Sequence, residues 1–144
     1  NLADWAHYQE MLDVILQHNV QAVVVANLVK DRSAVALHDD LPADVKGGLS
    51  GEPCRERSLE LIRQTYAYCG DRLKIVGVGG TFTAQDAYDK IRAGASLVGM
   101  ITGLIFEGPQ VVGDINAGLS EFLEKDGHDS VLAAVGTDSR LLQK

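Results

Sequence analysis

The sequence predicts an α/β fold built on a parallel sheet larger than its 144 residues can complete. Three observations predict it. Short, continuously apolar, β-branched runs alternate with stretches of helical period, the pattern of βαβ units on a parallel sheet. The later runs pass directly into glycine-bearing turns, as strands do where they meet a ligand-binding loop. Only about three such runs occur, and three buried parallel strands would leave apolar edges unpaired. The missing strands are therefore expected on an N-terminal segment or on a partner chain that covers those edges.

Each element can be justified in order. Trp5, Tyr8, Leu12, Ile15 and Leu16 recur with the 3.6-residue period, so residues 4–18 form an amphipathic helix. Ala22-Val23-Val24-Val25-Ala26 follows as a strand expected to be buried on both faces. Residues 30–56 are polar, rich in Asp, Gly and Pro, and lack periodicity; a loop this long inside a domain is usually functional. Leu59, Ile62, Tyr66 and Cys69 share one face of the next helix, which Gly70 closes. Leu73 to Val78 is the second strand and runs into Gly79-Gly80. Thr83 is a good N-cap with Asp86 in the capping-box position, and the helix it opens turns Ala84, Ala87, Tyr88 and Ile91 inward before stopping at Gly94. Ser96 to Ile101 is the third strand. Pro109 suits a first helical turn, and Val112, Ile115, Leu119, Phe122 and Leu123 form the inner face of the last long helix. Ser130 caps a short terminal helix that ends at Gly136.

Composition narrows the function. The residues are 46% hydrophobic and 23% charged, which places all of 1–144 in one globular segment and not in a disordered or fibrous chain. The net charge of −7 argues against nucleic acid as a partner, because affinity there rests on Lys and Arg neutralising phosphates. No apolar run approaches the roughly 18–20 residues that span a bilayer. Cys54 and Cys69 form no CxxC pair and are expected as reduced thiols in a non-secreted protein. His7, His18, His38 and His128 are scattered, with no metal-ligand spacing. Asp39-Asp40 and the Lys30, Asp31, Arg32 run are expected to be solvated surface charges. The chain opens Asn1-Leu2-Ala3-Asp4 without an initiator methionine, as a fragment, a processed chain or a trimmed one would.

The chemistry lies in the loops after the strands. In Gly77-Val78-Gly79-Gly80 the glycines let backbone N–H groups approach an anion, and the following helix adds its positive end. The same glycines could equally serve a tight turn. The spacing departs from a dinucleotide fingerprint, since Phe82 stands three residues after Gly79. Ile101-Thr102-Gly103 closes the next strand and could donate to the same anion through its backbone and the Thr102 hydroxyl. A phosphate held between consecutive βα loops is what a barrel places after its last two strands. Asn27 follows the first strand directly, where its carboxamide either meets a carboxylate or carbonyl of a substrate or merely supports a turn.

Four ordered blocks resemble a known family: Gly47-Gly48-Leu49-Ser50-Gly51-Glu52-Pro53, Ile75 to Gly80, Ala93 to Val98, and Phe106-Glu107-Gly108-Pro109. Together they look like the class 2, quinone-linked dihydroorotate dehydrogenases, over nearly the whole chain. The resemblance implies the C-terminal part of a (β/α)₈ barrel with FMN at its mouth. It implies that Ser50 and Gly51 contact the flavin, and that Gly79, Gly80, Ile101 and Thr102 hold the FMN phosphate. It places Asn27 at the orotate-touching Asn of the family's TNTT segment. That segment reads Ala26-Asn27-Leu28-Val29 here, so three hydroxyls are gone; buried partners left unpaired by such losses cost roughly 1–3 kcal/mol each. Ile101 replaces the family's usual Tyr, a milder change where the backbone N–H is the donor. The family's serine base, its flavin-contacting lysine, most of its orotate-binding asparagines and its membrane-associating helices precede this segment, so these residues alone are not expected to perform the reaction.

Two functions follow. In the first, the chain is the cofactor-fixing part of an enzyme that oxidises dihydroorotate to orotate with quinone as acceptor, in pyrimidine biosynthesis. Such an enzyme sits at a membrane periphery: the mitochondrial inner membrane in a eukaryote, the cytoplasmic membrane in a bacterium. In the second, the chain is a non-catalytic structural or interaction subunit derived from such an enzyme, docking its open strand edges on a partner and holding no flavin.

Overall fold

A computed structural model describes residues 5–35, 37, 42 and 44–141. The expected surface pair Asp39-Asp40, with His38, lies outside these residues, as does Asp4 at the start of the first helix.

The element order is α1 (Trp5–Gln17), β1 (Ala22–Val25), α2 (Arg55–Cys69), β2 (Lys74–Val78), α3 (Ala84–Ala93), β3 (Leu97–Gly99), α4 (Thr102–Glu107), α5 (Val111–Lys125), α6 (Val131–Ala134) and α7 (Thr137–Leu141). Single 3₁₀ turns occupy Arg32–Ala34, Glu52–Cys54 and Gly70–Arg72. The described strands form one parallel sheet in the order β1-β2-β3. Val24 lies opposite Val76, and Val76 opposite Leu97.

The two faces of this sheet differ. Successive strand residues point to opposite sides. One side carries Val25 and Ile75, fully buried, with Val23 and Val98 packed against them. It rests on Ile62 and Tyr66 of α2 and on Tyr88 and Ile91 of α3. The other side carries Val24 and Leu97, which are 65% and 66% exposed. The expectation of a first strand buried on both faces is thus corrected: the helices cover one side, and nothing among the described residues covers the other.

A second cluster joins α1 to α2 through Tyr8, Leu12, Cys69 and Leu73. There the Tyr8 hydroxyl and Thr65 Oγ1 lie 2.9 Å apart in a buried hydrogen bond. A third joins α3 to α5 through Ala87, Val111 and Ile115. Here the expected inner face of α5 shifts by one residue. Val111 is buried and Val112 exposed, because the helix begins after Pro109 and Gln110 and Val111 is the residue one turn before Ile115. The third strand is shorter than expected: Met100 and Ile101 have left the ladder, and Ile101 caps the short α4 that periodicity did not reveal. Ser130 caps α6 as expected, its Oγ accepting from Ala133 N, and a further helix, α7, follows Gly136. Both cysteines are free and buried. No helix among the described residues is long and apolar enough to cross a membrane.

Candidate functional site

The loops after β1, β2 and β3 meet at the C-terminal end of the sheet, and the chain segment 48–54 folds over them. Its placement has a local cause. Val29 and Leu49 form an antiparallel bridge, with Val29 N donating to Leu49 O at 3.0 Å and Leu49 N to Val29 O at 2.8 Å. The bridge closes the long loop at its base and delivers Ser50 and Gly51 next to the strand ends. Inside the loop, Asp31 Oδ1 accepts from Ser33 N at 3.0 Å and from Ser33 Oγ at 2.6 Å, bonds that hold its carboxyl below the usual range. Arg32 reaches across to the carbonyls of Val45 and Gly47. Asp31 and Arg32 therefore do more than the solvated surface charges expected of them: they tie the loop to itself.

All seven residues singled out from the sequence, Asn27, Ser50, Gly51, Gly79, Gly80, Ile101 and Thr102, line one cavity of about 90 Å³. Leu28, Cys54, Thr81 and Gly103 complete much of its wall. Thr102 Oγ1 and Ser50 Oγ are 3.0 Å apart, so the first turn of α4 is joined to the loop over β1. Asn27 Oδ1 accepts from Leu28 N at 2.7 Å, which leaves the Nδ2 hydrogens as the donors its carboxamide can offer. This bond is also the turn-supporting role weighed for Asn27 from the sequence. Of the three positions where hydroxyls are lost, Ala26 and Leu28 line this cavity; Val29 does not, being buried and engaged through its backbone with Leu49.

The glycine turn is fixed from below. Gly79 and Gly80 have φ of +121° and +63°. A Cβ on Gly80 would stand 2.6 Å from Arg55 Cα, so the turn lies directly on the start of α2. Arg55 Nε in turn sits 3.0 Å from Asp86 Oδ1. Asp86 Oδ2 accepts from Phe82 N at 3.0 Å and Thr83 N at 2.9 Å, while Thr83 Oγ1 accepts from Asp86 N: a full capping box on α3. Sequence reasoning found the box but missed its second role. Asp86 is almost buried because it also holds the arginine on which the glycine turn rests. Lys90, one turn further along α3, is also buried; burial pushes its ammonium down, while Asp86 counters in part.

Size limits what this cavity takes. A water occupies about 30 Å³ of liquid, so about 90 Å³ suits a phosphate-sized group, whereas whole cofactors need roughly 300 Å³ or more. A neighbouring hollow of about 560 Å³ shares Ala26, Asn27, Leu28, Cys54, Val78 and Gly79 with it.

The dihydroorotate dehydrogenase profile matches residues 1–123. The chain belongs to that family. It is 44% identical over 131 residues to the quinone dihydroorotate dehydrogenase of Anaeromyxobacter dehalogenans strain 2CP-C, covering 91% of this chain and 35% of the relative. It is 40% identical over 140 residues to that of Synechocystis, covering 94% and 37%. The ligand-free dihydroorotate dehydrogenase of Eimeria tenella superposes with a TM-score of 0.82 at 28% identity, over 95% of this chain and 37% of that one. The chain thus spans about a third of the length of these dihydroorotate dehydrogenases. Its three strands are an arc of the family's (β/α)₈ barrel, not a closed barrel, and the exposed face carrying Val24 and Leu97 is the side such a barrel turns inward.

Proposed function

We propose that this chain is the cofactor-anchoring segment of a quinone-linked dihydroorotate dehydrogenase that holds FMN. The observation that carries the reading is the convergence of three strand-end loops and the 48–54 segment on one cavity of phosphate size beside a larger hollow. The backbone N–H groups of Gly79, Gly80, Ile101 and Thr102 donate to the phosphate, at the place where barrels hold such groups. Ser50 and Gly51 border the flavin. The Asn27 amide donates to the oxidised substrate, orotate. Arg55 and Asp86 keep the glycine turn in place so that its donors are set before the cofactor arrives, which lowers the ordering cost of binding. When bound, the flavin supplies the redox chemistry that takes dihydroorotate to orotate and passes electrons to quinone. The base that removes the substrate proton comes from outside these residues. Such an enzyme works at a membrane periphery, where quinone is dissolved.

The test is the visible absorption spectrum of the purified native protein with an intact mass on the same sample. Flavin bands that bleach on adding dihydroorotate support the proposal. A colourless protein whose mass matches 144 residues would end it. The second reading, a flavin-free structural subunit, has no observation of fold or relatives in its favour.

A further inference from the structure

We infer that the buried ammonium of Lys90 is held unpaired behind the glycine turn as a stored positive charge, and that the phosphate bound at the turn is its counter-charge. The inference rests on the FMN reading above and concerns a group that lines neither cavity. Lys90 is 1% exposed on α3, one turn after Asp86. Side chains on a helix lean toward its N-terminus, so the lysine stem runs back toward residues 79–83. It passes under β2 on the way: Lys90 Cδ lies 3.6 Å from where a Cβ on Gly77 would stand. Among the described residues, no hydrogen bond and no ion pair holds the ammonium. The groups that act on it sit on both neighbouring helices. Burial disfavours its charged form most; Asp86 on its own helix favours it, Arg55 of α2 opposes it, and Asp89 and Glu56 favour it more weakly. Arg55 and Lys90 thus set two cations against one buried carboxylate, Asp86. Glu52 also reaches Arg55, at 3.5 Å, but from solvent. Arg55 is the residue on which Gly80 rests, so this excess of positive charge lies directly under the turn. A buried charge without a partner destabilises a fold, and an anion arriving nearby in a site of low dielectric offsets that cost without touching it.

The test uses the full-length protein, stripped of flavin, and compares the parent with Lys90→Met, which keeps the stem and removes the charge. Two effects of opposite sign are expected. The flavin-free variant melts higher than the parent at neutral pH, because the unpaired charge is gone. Its dissociation constant for FMN rises roughly fivefold to tenfold. Inorganic phosphate is the second probe: it raises the melting point of the flavin-free parent more than that of the variant. A residue that merely packs would move stability and affinity in the same direction. A variant that melts lower or does not fold overturns the inference, since the ammonium would then have a partner inside the protein, a bound water included. Unchanged FMN affinity overturns it as well. A parent that binds neither FMN nor phosphate sinks the FMN reading itself, whereas a parent that binds FMN no better than its methionine variant sinks only the role of Lys90.

Discussion

Gly80 and Tyr88 show how much can hang on single atoms. Gly80 combines a φ of +63° with a Cβ position 2.6 Å from Arg55 Cα. Gly80→Ala strains the backbone and pushes α2 away from the turn together. We expect a loss of about 2–3 kcal/mol in urea unfolding and failure to retain flavin through gel filtration. Tyr88 is buried among α2, α3 and the sheet, and its hydroxyl donates to Asp126 Oδ2 at 2.7 Å. Burial, and then that bond to a carboxylate, push its pKa up to about 12 from 10.0. The folded state therefore favours the protonated phenol. Its contribution is fully present below the ordinary value of 10.0 and is lost as pH rises through about 12. The stability difference between the parent and Tyr88→Phe, about 1–2 kcal/mol at pH 8, should shrink between those limits when unfolding midpoints are compared. Lys90 shifts in the opposite sense, so its contribution is present above the ordinary lysine range and lost as pH falls through its lowered pKa. Being common to both proteins, it cancels in the difference.

At the scale of elements, α3 couples fold to site. Its first turn is capped by Thr83, and its N3 carboxylate holds two loop amides and Arg55 of α2. Asp86→Ala removes both and leaves the half-buried guanidinium with Glu52 alone, 3.5 Å from its Nη2. Losing the two amide bonds and a charge-assisted contact costs about 2–3 kcal/mol. The expected result is a fall in the urea midpoint well beyond that of Thr83→Ala, which loses only a cap worth about 1 kcal/mol. A fall equal to that of Thr83→Ala would show that the Asp86 contact to Arg55 adds nothing to stability. This division was half legible. A Thr followed three residues later by Asp announces the cap, because capping is local chemistry. That the same carboxylate meets Arg55 depends on how α2 packs beside α3, which no local pattern encodes. The shift from Val112 to Val111 on α5 has the same origin. Both are apolar neighbours, and only the entry angle after Pro109 decides which faces α3.

On the scale of the whole molecule, the sheet decides behaviour. Val24 and Leu97 lie on its open side, and Ile101, Ile105 and Phe106 stand exposed beyond β3. Large exposed apolar patches drive association, and unpaired strand edges template it. Residues 1–144 produced alone should therefore elute from gel filtration as oligomers and bind a hydrophobic dye. Co-expression with the preceding part of the barrel should remove both effects. A monodisperse, dye-silent monomer would contradict this. The incompleteness was readable from three β-branched runs in a chain this apolar. So was the gathering of the seven candidate residues at one cavity, because strand ends and glycine turns are sequence features that topology brings together at one end of a parallel sheet. The open face was not foreseen: a strand apolar on both sides reads as buried on both sides, and the sequence does not say which layer supplies the second cover.

The Val29–Leu49 bridge makes the segment between those residues a tethered appendix. Lengthening a closed loop is entropically cheap, about 0.6 kcal/mol per doubling. With the two backbone bonds acting as a clasp, residues added or removed between 30 and 48 should leave Ser50 and Thr102 in register. A protein engineer can thus lengthen, shorten or replace that segment without retuning the cavity that Ser50 and Thr102 line.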